Sequence, residues 1–492
     1  MTTILLPRPS IKIDSRQDPS LTGNAGLLLF GELVRATHLV ERLDLAIDSV
    51  RTFKQRSRGL SGGQTLISVA ETIAAGGSNL AHLDLLRGDG AGAELRAVGP
   101  TPPPTTAGQL LRRFTIWQCR AVVRELAVAG NQLDRTLGLP LAAPVTLDMD
   151  STLSDVYGRR DKDGLAAFNY EGRKGIRTQL VSWSERRRIL AADLRRGSAS
   201  EKPPAPALLR RALQTLPEGH GPVSARGDTG FFSHQILLAC RRHDVSFAIS
   251  VPRRPDIMNL RYRLKAADWR PALAMRNAEV AELPYTPAGW EHEPLRMIIR
   301  RVRIPAHELS QNPRSRRRHT VPKDQLELLA AGACEYVYGY SFLITDRLGD
   351  AAEIEHWHRQ RARVEERIKD AKRGAALRHL PMHDQHANWA WMTACVIAHN
   401  LASLLSAVTA SLNHQHLMEK VATATTEEEL RRPAPERVQP HNLELVRRWL
   451  IGVPGRLVRG GRQVLLLLAA AMPWRQVFEA TYQHLRLLNC SG

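Results

Sequence analysis

The residues with the most chemical potential are acids placed where the chain changes direction. Asp148 and Asp150 close a short β-type run, PVTLDMDST, and Asp228 closes another in SARGDTGFF. Open α/β sheets present their sites at the carboxyl ends of strands, so both runs can deliver carboxylates to one place. Side chains alternate between the faces of a strand, so Asp148 and Asp150 share a face and either can serve as the first acid. A third acid must come from elsewhere, and the charged, helix-forming stretch EHWHRQRARVEERIKDAKRG offers several. At roughly 100° per residue, His358, Arg361, Glu365 and Lys372 fall within about 60° of one another, whereas Glu366 falls about 80° to the other side of His358. One stripe then carries a histidine, an arginine, a glutamate and a lysine.

Three carboxylates without a cysteine partner suit a hard divalent ion, Mg²⁺ or Mn²⁺, far better than zinc. Two such ions, about 3.5–4 Å apart, can activate an attacking oxygen and stabilise the leaving oxygen of a phosphodiester. Cations on the same helix face can hold the nucleic-acid strand. Paired carboxylates also perform glycoside hydrolysis, but a chain with 5% aromatic residues and a basic balance is poorly made for a sugar cleft. Each feature also has a plain structural counterpart: a charged helix can be a solvated face with ion pairs one turn apart, and Asp at a strand end can cap a turn.

The charge supports the nucleic-acid reading. Lys and Arg number 69 against 49 Asp and Glu, a formal net charge of +20, and the sequence pI is near 10.4. That is the electrostatic footprint of a protein that neutralises phosphates. An anionic membrane surface is the rival partner, but the basic residues are spread along the chain and flank no apolar anchor. The longest purely apolar run, Val464 to Met472, is far short of the roughly 20 residues that a membrane span needs. Five cysteines, without close pairs, suggest neither a disulfide framework nor a cysteine-based zinc site. The expectation is a chain of the cytoplasm with no membrane partner.

Periodicity supplies the elements that must position the acids. Residues 1–139 read as a helical N-terminal domain, with apolar residues at three- and four-residue spacing in LLLFGELVRATHLVERL and LLRRFTIWQCRAVVRELAVAG. Residues 140–251 alternate strand and helix patterns, the mark of a sheet with covering helices. Residues 252–345 are β-rich, with EVAELPY, LRMIIRRVRI and YVYGYSFLIT as strands and a basic loop around Arg314, Arg316, Arg317, Arg318 and His319, and they read as an insertion. Residues 346–412 return to helix and carry the third acid. Residues 413–492 form a C-terminal region suited to dimerisation or further DNA contact.

Taken together, these residues resemble the DDE transposases of bacterial insertion sequences, in the branch whose third motif is Tyr-x2-Arg-x3-Glu-x6-Lys. Arg361, Glu365 and Lys372 match it at every interval, with His358 where tyrosine is usual. The first-acid motif of the branch resembles LDMDST followed by Gly158 and YEGRKG, and the second resembles RGDTGFF. The likeness extends over nearly the whole chain, and the interval between Asp228 and Glu365 can house the β-rich insertion of that branch.

The resemblance implies an α/β, RNase H-like catalytic domain with a β-rich insertion, a helical N-terminal domain before it and a mostly helical C-terminal region. It implies cut-and-paste transposition: metal-dependent cleavage at terminal inverted repeats, then strand transfer into target DNA by a homodimer on double-stranded DNA. Asp150, favoured over Asp148 by the motif, would hold two Mg²⁺ ions with Asp228 and Glu365; Mn²⁺ could substitute. Arg361 and Lys372 would contact phosphates. His358 would donate a hydrogen bond to phosphate and, unlike tyrosine, could carry charge near pH 6 to 7. Arg173 and Lys174 would track the DNA backbone, and Trp290 could stack a flipped base. Two other readings stay open: a catalytically silent DNA-binding relic or repressor, and an RNase H-like nuclease that cuts without strand transfer.

Overall fold

The structure is a computed structural model that describes residues 18–55, 58–158, 161–287, 289–290, 295–312, 315, 317–361, 370, 374–423, 442–470, 472 and 474–490. The chain opens with a two-residue strand, β1 (Leu21–Thr22), and the helices α1 (Leu27–Ala36), α2 (Leu39–Val50), α3 (Gly62–Ala74) and α4 (Ile116–Thr136). Helices α3 and α4 each begin in a capping box, Ser61 with Gln64 and Thr115 with Gln118, so side chains satisfy first-turn N–H groups and fix where each helix starts.

A large mixed sheet follows. Its strands are β2 (Val145–Asp155), β3 (Ala167–Phe168), β4 (Lys174–Trp183), β5 (Arg188–Arg196), β6 (Val223–Gly227), β7 (Val245–Ser250), β8 (Arg270–Pro271), β9 (Ala278–Tyr285), β10 (Leu295–Pro305) and β11 (Tyr336–Thr345). Their order is β3-β4-β2-β6-β7-β11-β10-β9-β8, with β5 also beside β4. Strands β2, β6 and β7 run parallel, and the other pairings are antiparallel. Strand β11 pairs with β7 through Leu343–Ser250, Ile344–Ile249 and Thr345–Ala248. The β-rich segment expected as an insertion therefore continues the central sheet strand by strand, because β11 supplies the ladder that β7 would otherwise leave open at an edge.

Between the strands, α5 (Ala205–Leu213) and α6 (His234–Arg242) cover one face and close an apolar core with Leu147, Met149, Val181, Phe247 and Phe342. On the other face lies α7 (Ala351–Arg359), whose Ala351 and Ile354 pack on Ala248, Ile298 and Leu343. The chain then enters α8 (Gln385–Thr423), passes strands β12 (Gly455–Gly460) and β13 (Gln463–Leu468), and ends its described part in α9 (Arg475–Cys490). A second apolar core gathers residues of α1 to α4, α8 and α9 together with Ile189, Ala192 and Leu194 of β5. The N- and C-terminal segments thus share one core, and β1 pairs with β12 across nearly the whole sequence.

Within α8, the stretch Gln385–Leu412 is long and apolar enough to cross a membrane by length and composition, with mean hydropathy 1.6. It is instead packed from several sides, 67% of its most apolar window being buried against protein. The apolar run at Val464 lies in β13, where Val464, Leu465 and Leu467 are exposed.

Candidate active site

Strand register brings the first two acids together. The parallel pairing of β2 with β6 sets Asp148 beside Arg226 and Met149 beside Gly227, so Asp150 and Asp228 follow next to each other just past the last parallel pair; β2 itself runs on to Asp155 by pairing with β4, so the two acids expected to close it lie within it. Asp150 is buried; its Oδ1 accepts the main-chain N–H of Ser151 at 2.7 Å. Asp228 caps a short 3-10 turn, Thr229–Phe231, its Oδ1 accepting the N–H of Gly230 at 2.9 Å. The second oxygens then converge: Arg361 Nη2 lies 3.0 Å from Asp150 Oδ2 and 3.6 Å from Asp228 Oδ2. One cationic nitrogen thus bridges two carboxylates, each anchored through its other oxygen. This donor set is all oxygen, and the observed geometry already places one positive charge between the two groups, so the residues present fit a hard divalent ion.

Asp148 has a different use. Its two oxygens take Arg226 Nε at 2.6 Å and Nη2 at 2.9 Å, a bidentate pair with the aspartate 0% and the arginine 2% exposed. Arg226 also donates to the carbonyl of Trp357 at 2.5 Å and to Ser184 Oγ at 3.1 Å. The Asp148–Arg226 pair therefore fastens α7 to the sheet, while Asp150, two residues on, meets Asp228.

Helix α7 ends at Arg359, and Arg361 lies in the tightened turn that follows, its N–H reaching the carbonyl of His358 at 3.0 Å. Of the stripe expected through this stretch, the described residues include His358 and Arg361. Glu365 and Lys372 lie outside the described residues. His358 Nε2 is 3.3 Å from the carbonyl of Gly227, next to Asp228. Burial first, then the charge of Arg361, push its pKa down to about 3. The ring is therefore neutral near pH 6 to 7, which corrects the charge expected there.

Other expected DNA contacts lie apart from the acids. Arg173 forks onto Asp155 at 2.7 and 2.8 Å, and Lys174 donates to the carbonyl of Gly158 at 3.1 Å. Asp155 and its partner Gly175 stand five residues beyond Asp150 along β2, roughly 17 Å at strand spacing. Trp290 is 9% exposed, with ring centroids 5.5 Å from Phe232 and 5.0 Å from His234. Its ring packs among the core residues of the sheet and its covering helices. In the basic loop, Arg317 pairs with Glu308 and Arg318 donates to the carbonyl of Ser310; Arg314 and Arg316 lie outside the described residues.

Sequence reading missed Arg226 and Glu201. The signal for Arg226 was present, since a strand arginine two residues before Asp228 falls opposite Asp148 once β2 and β6 pair in parallel. Glu201 carries no such signal, because only the tertiary fold brings its loop to Ser151 and Arg177.

The model of the family described as "Transposase DDE domain group 1" matches residues 8–490, and the chain belongs to that family. It is thus a DNA transposase, an enzyme that acts on DNA. No curated protein matches the chain. Among solved structures, it is similar to the chain of the piggyBac transposase synaptic complex with hairpin DNA, with 11% sequence identity and a TM-score of 0.35, over 82% of this chain and 84% of that one.

Proposed function

We propose that this transposase belongs to the bacterial insertion-sequence branch with the Tyr-x2-Arg-x3-Glu-x6-Lys motif, and that it catalyses cut-and-paste transposition in the cytoplasm, on the nucleoid. In this reading β5-β4-β2-β6-β7 is the core of an RNase H-like domain, and Asp150, Asp228 and Glu365 hold two Mg²⁺ ions. The ions would supply activation of the attacking oxygen and charge stabilisation at the leaving oxygen. The observation that carries the proposal is the convergence of Asp150 Oδ2 and Asp228 Oδ2 on one guanidinium nitrogen, just past the last parallel pair of β2 and β6.

The chain's own residues divide the remaining work. Ser151 and Gly230 N–H groups fix one oxygen of each aspartate, so the other oxygen is presented without rotamer searching. Arg361 pairs with the two carboxylates and, with Lys372, would contact the phosphates of the DNA. His358, neutral, orients the Gly227–Asp228 turn through its contact with the Gly227 carbonyl. Such positioning and charge stabilisation carry most of the catalysis in phosphoryl transfer. The helical N-terminal segment would read the terminal inverted repeats, and two chains would hold the two transposon ends before joining to target DNA.

The test is incubation of the protein with labelled transposon-end DNA in Mg²⁺, Mn²⁺ or EDTA, beside Asp228→Asn and Glu365→Gln. Metal-dependent cleavage and joining, lost in both variants, is the expected result. Cleavage without joining would make the chain a nuclease, and binding alone a DNA-binding relic.

A further inference from the structure

Glu201 lies in the loop between β5 and α5 and is clamped to the sheet at three points. Its carboxylate accepts the Ser151 hydroxyl at 3.0 Å and pairs with the Arg177 guanidinium, while its carbonyl accepts Gln179 Nε2 at 2.9 Å. Arg177 and Gln179 are neighbours on one face of β4, and β2 pairs Ser151 with Gln179 in register. The clamp is built from groups largely removed from water: Arg177 is 8% exposed and Gln179 is 0% exposed.

The position of this clamp relative to the acids is what gives it a role. Ser151 is the residue whose N–H binds Asp150 Oδ1, and Gly230 is the residue whose N–H binds Asp228 Oδ1. Glu201 holds the side chain of the first and lies close to the second, near enough that a Cβ placed on Gly230 would stand 3.5 Å from the Glu201 carboxyl carbon. One side chain thus holds Ser151 and stands beside Gly230, the two residues whose main-chain donors orient the aspartates.

We propose that Glu201 is a positioning residue of the metal site: it fixes the Ser151 and Gly230 segments so that the second oxygens of Asp150 and Asp228 meet at one cation. The inference rests on the proposed metal-binding role of those aspartates. Partners behind a metal's direct ligands commonly alter its affinity by about 10- to 100-fold when removed. In Glu201→Gln the amide oxygen still accepts from Ser151, but the charge opposite Arg177 is gone; in Glu201→Ala both ties are lost.

The experiment is Mn²⁺ binding by the full chain, followed by electron paramagnetic resonance, with urea unfolding measured on the same samples. Glu201→Ala should bind Mn²⁺ about 10- to 100-fold more weakly, with Glu201→Gln in between, while Asp228→Asn defines the loss of a direct ligand. A role confined to tying down the loop would lower the unfolding midpoint and leave the Mn²⁺ affinity of the folded fraction unchanged, which overturns the inference. Should Glu201→Ala fail to fold, Ser151→Ala removes the same tether from the other side, and unchanged affinity in it would equally overturn the inference. Absence of Mn²⁺ binding by the wild-type chain would instead sink the metal-site reading itself, a result separable from any variant's behaviour.

Discussion

Asp148 and Asp150 sit two residues apart on one face of one strand, and their substitution should have opposite consequences. In Asp148→Asn, Arg226 keeps its charge in a site where it is 2% exposed, and loses the carboxylate that satisfies its Nε and shares its Nη2. Removing one partner of a buried ion pair typically costs about 3–5 kcal/mol, because the remaining charge is left uncompensated. Asp150→Asn leaves the Ser151 N–H with an amide oxygen to bind and a residue of nearly the same shape, so its stability should stay within about 1 kcal/mol of wild type. Urea unfolding followed by tryptophan fluorescence measures both stabilities, and end-DNA cleavage measures the activity of each variant. Asp148→Asn should unfold at markedly lower urea, whereas Asp150→Asn should unfold near wild type and cut nothing. A double variant, Asp148→Leu with Arg226→Met, should recover much of the lost stability, since an apolar pair of similar volume often replaces a buried ion pair at little cost. Wild-type stability in Asp148→Asn would refute the argument, as would an equal stability loss in Asp150→Asn.

Two further outcomes follow from burial. Glu71 of α3 is 0% exposed, and desolvation, opposed by the N–H of Ala97 and the charge of Arg96, raises its pKa from 4.5 to about 7. Because the folded value lies above the unfolded one, the contribution of Glu71 is complete below about pH 4.5 and is lost as pH rises through about 7; the loss is of the order of 3 kcal/mol. Urea midpoints should therefore fall between about pH 5 and pH 8, and Glu71→Gln should flatten that slope. Trp290→Ala should lower stability by about 3 kcal/mol or more through a core cavity; a variant with wild-type stability and a selective defect in DNA joining would instead support the stacking role.

How much of this was legible depended on range. Strands β4, β6, β7, β9, β10 and β11 follow apolar runs bounded by turns, and the chain adopts them where the pattern places them, whereas β2 runs past its expected close at Asp150 to Asp155 because β4 pairs with it over that length. Strand β5 escaped notice because Ile189 to Leu194 is a short apolar run set between arginines, and it becomes a strand only by pairing with β4. Helix α8 was visible as a helix but not as the centre of a core, since its buried polar residues Asn388, Thr393, His399 and Asn400 break the apolar run. The structure satisfies them at long range: Asn400 bonds both backbone groups of Ile189, and His399 meets Asp370 at 3.0 Å. Local pattern records what each segment would bury, but not the distant group that makes a buried polar residue affordable.

The same distinction explains the candidate site. Alternation along β2 puts two acids on one face and cannot rank them, because both positions satisfy the pattern equally. Parallel pairing with β6 ranks them by giving each a different neighbour, Arg226 opposite Asp148 and the Gly227–Asp228 turn beyond Met149. The arginine that neutralises Asp148 also holds the Trp357 carbonyl, and Trp357 immediately precedes His358 and the turn carrying Arg361. Asp148 thus acts on the chemistry only through the placement of α7, so the Asp148→Leu, Arg226→Met chain should fold yet cleave poorly, having lost the tether that brings Arg361 to Asp150 and Asp228. Full cleavage by that folded double variant would show that α7 is positioned by its apolar contacts with Ala248, Ile298 and Leu343 alone.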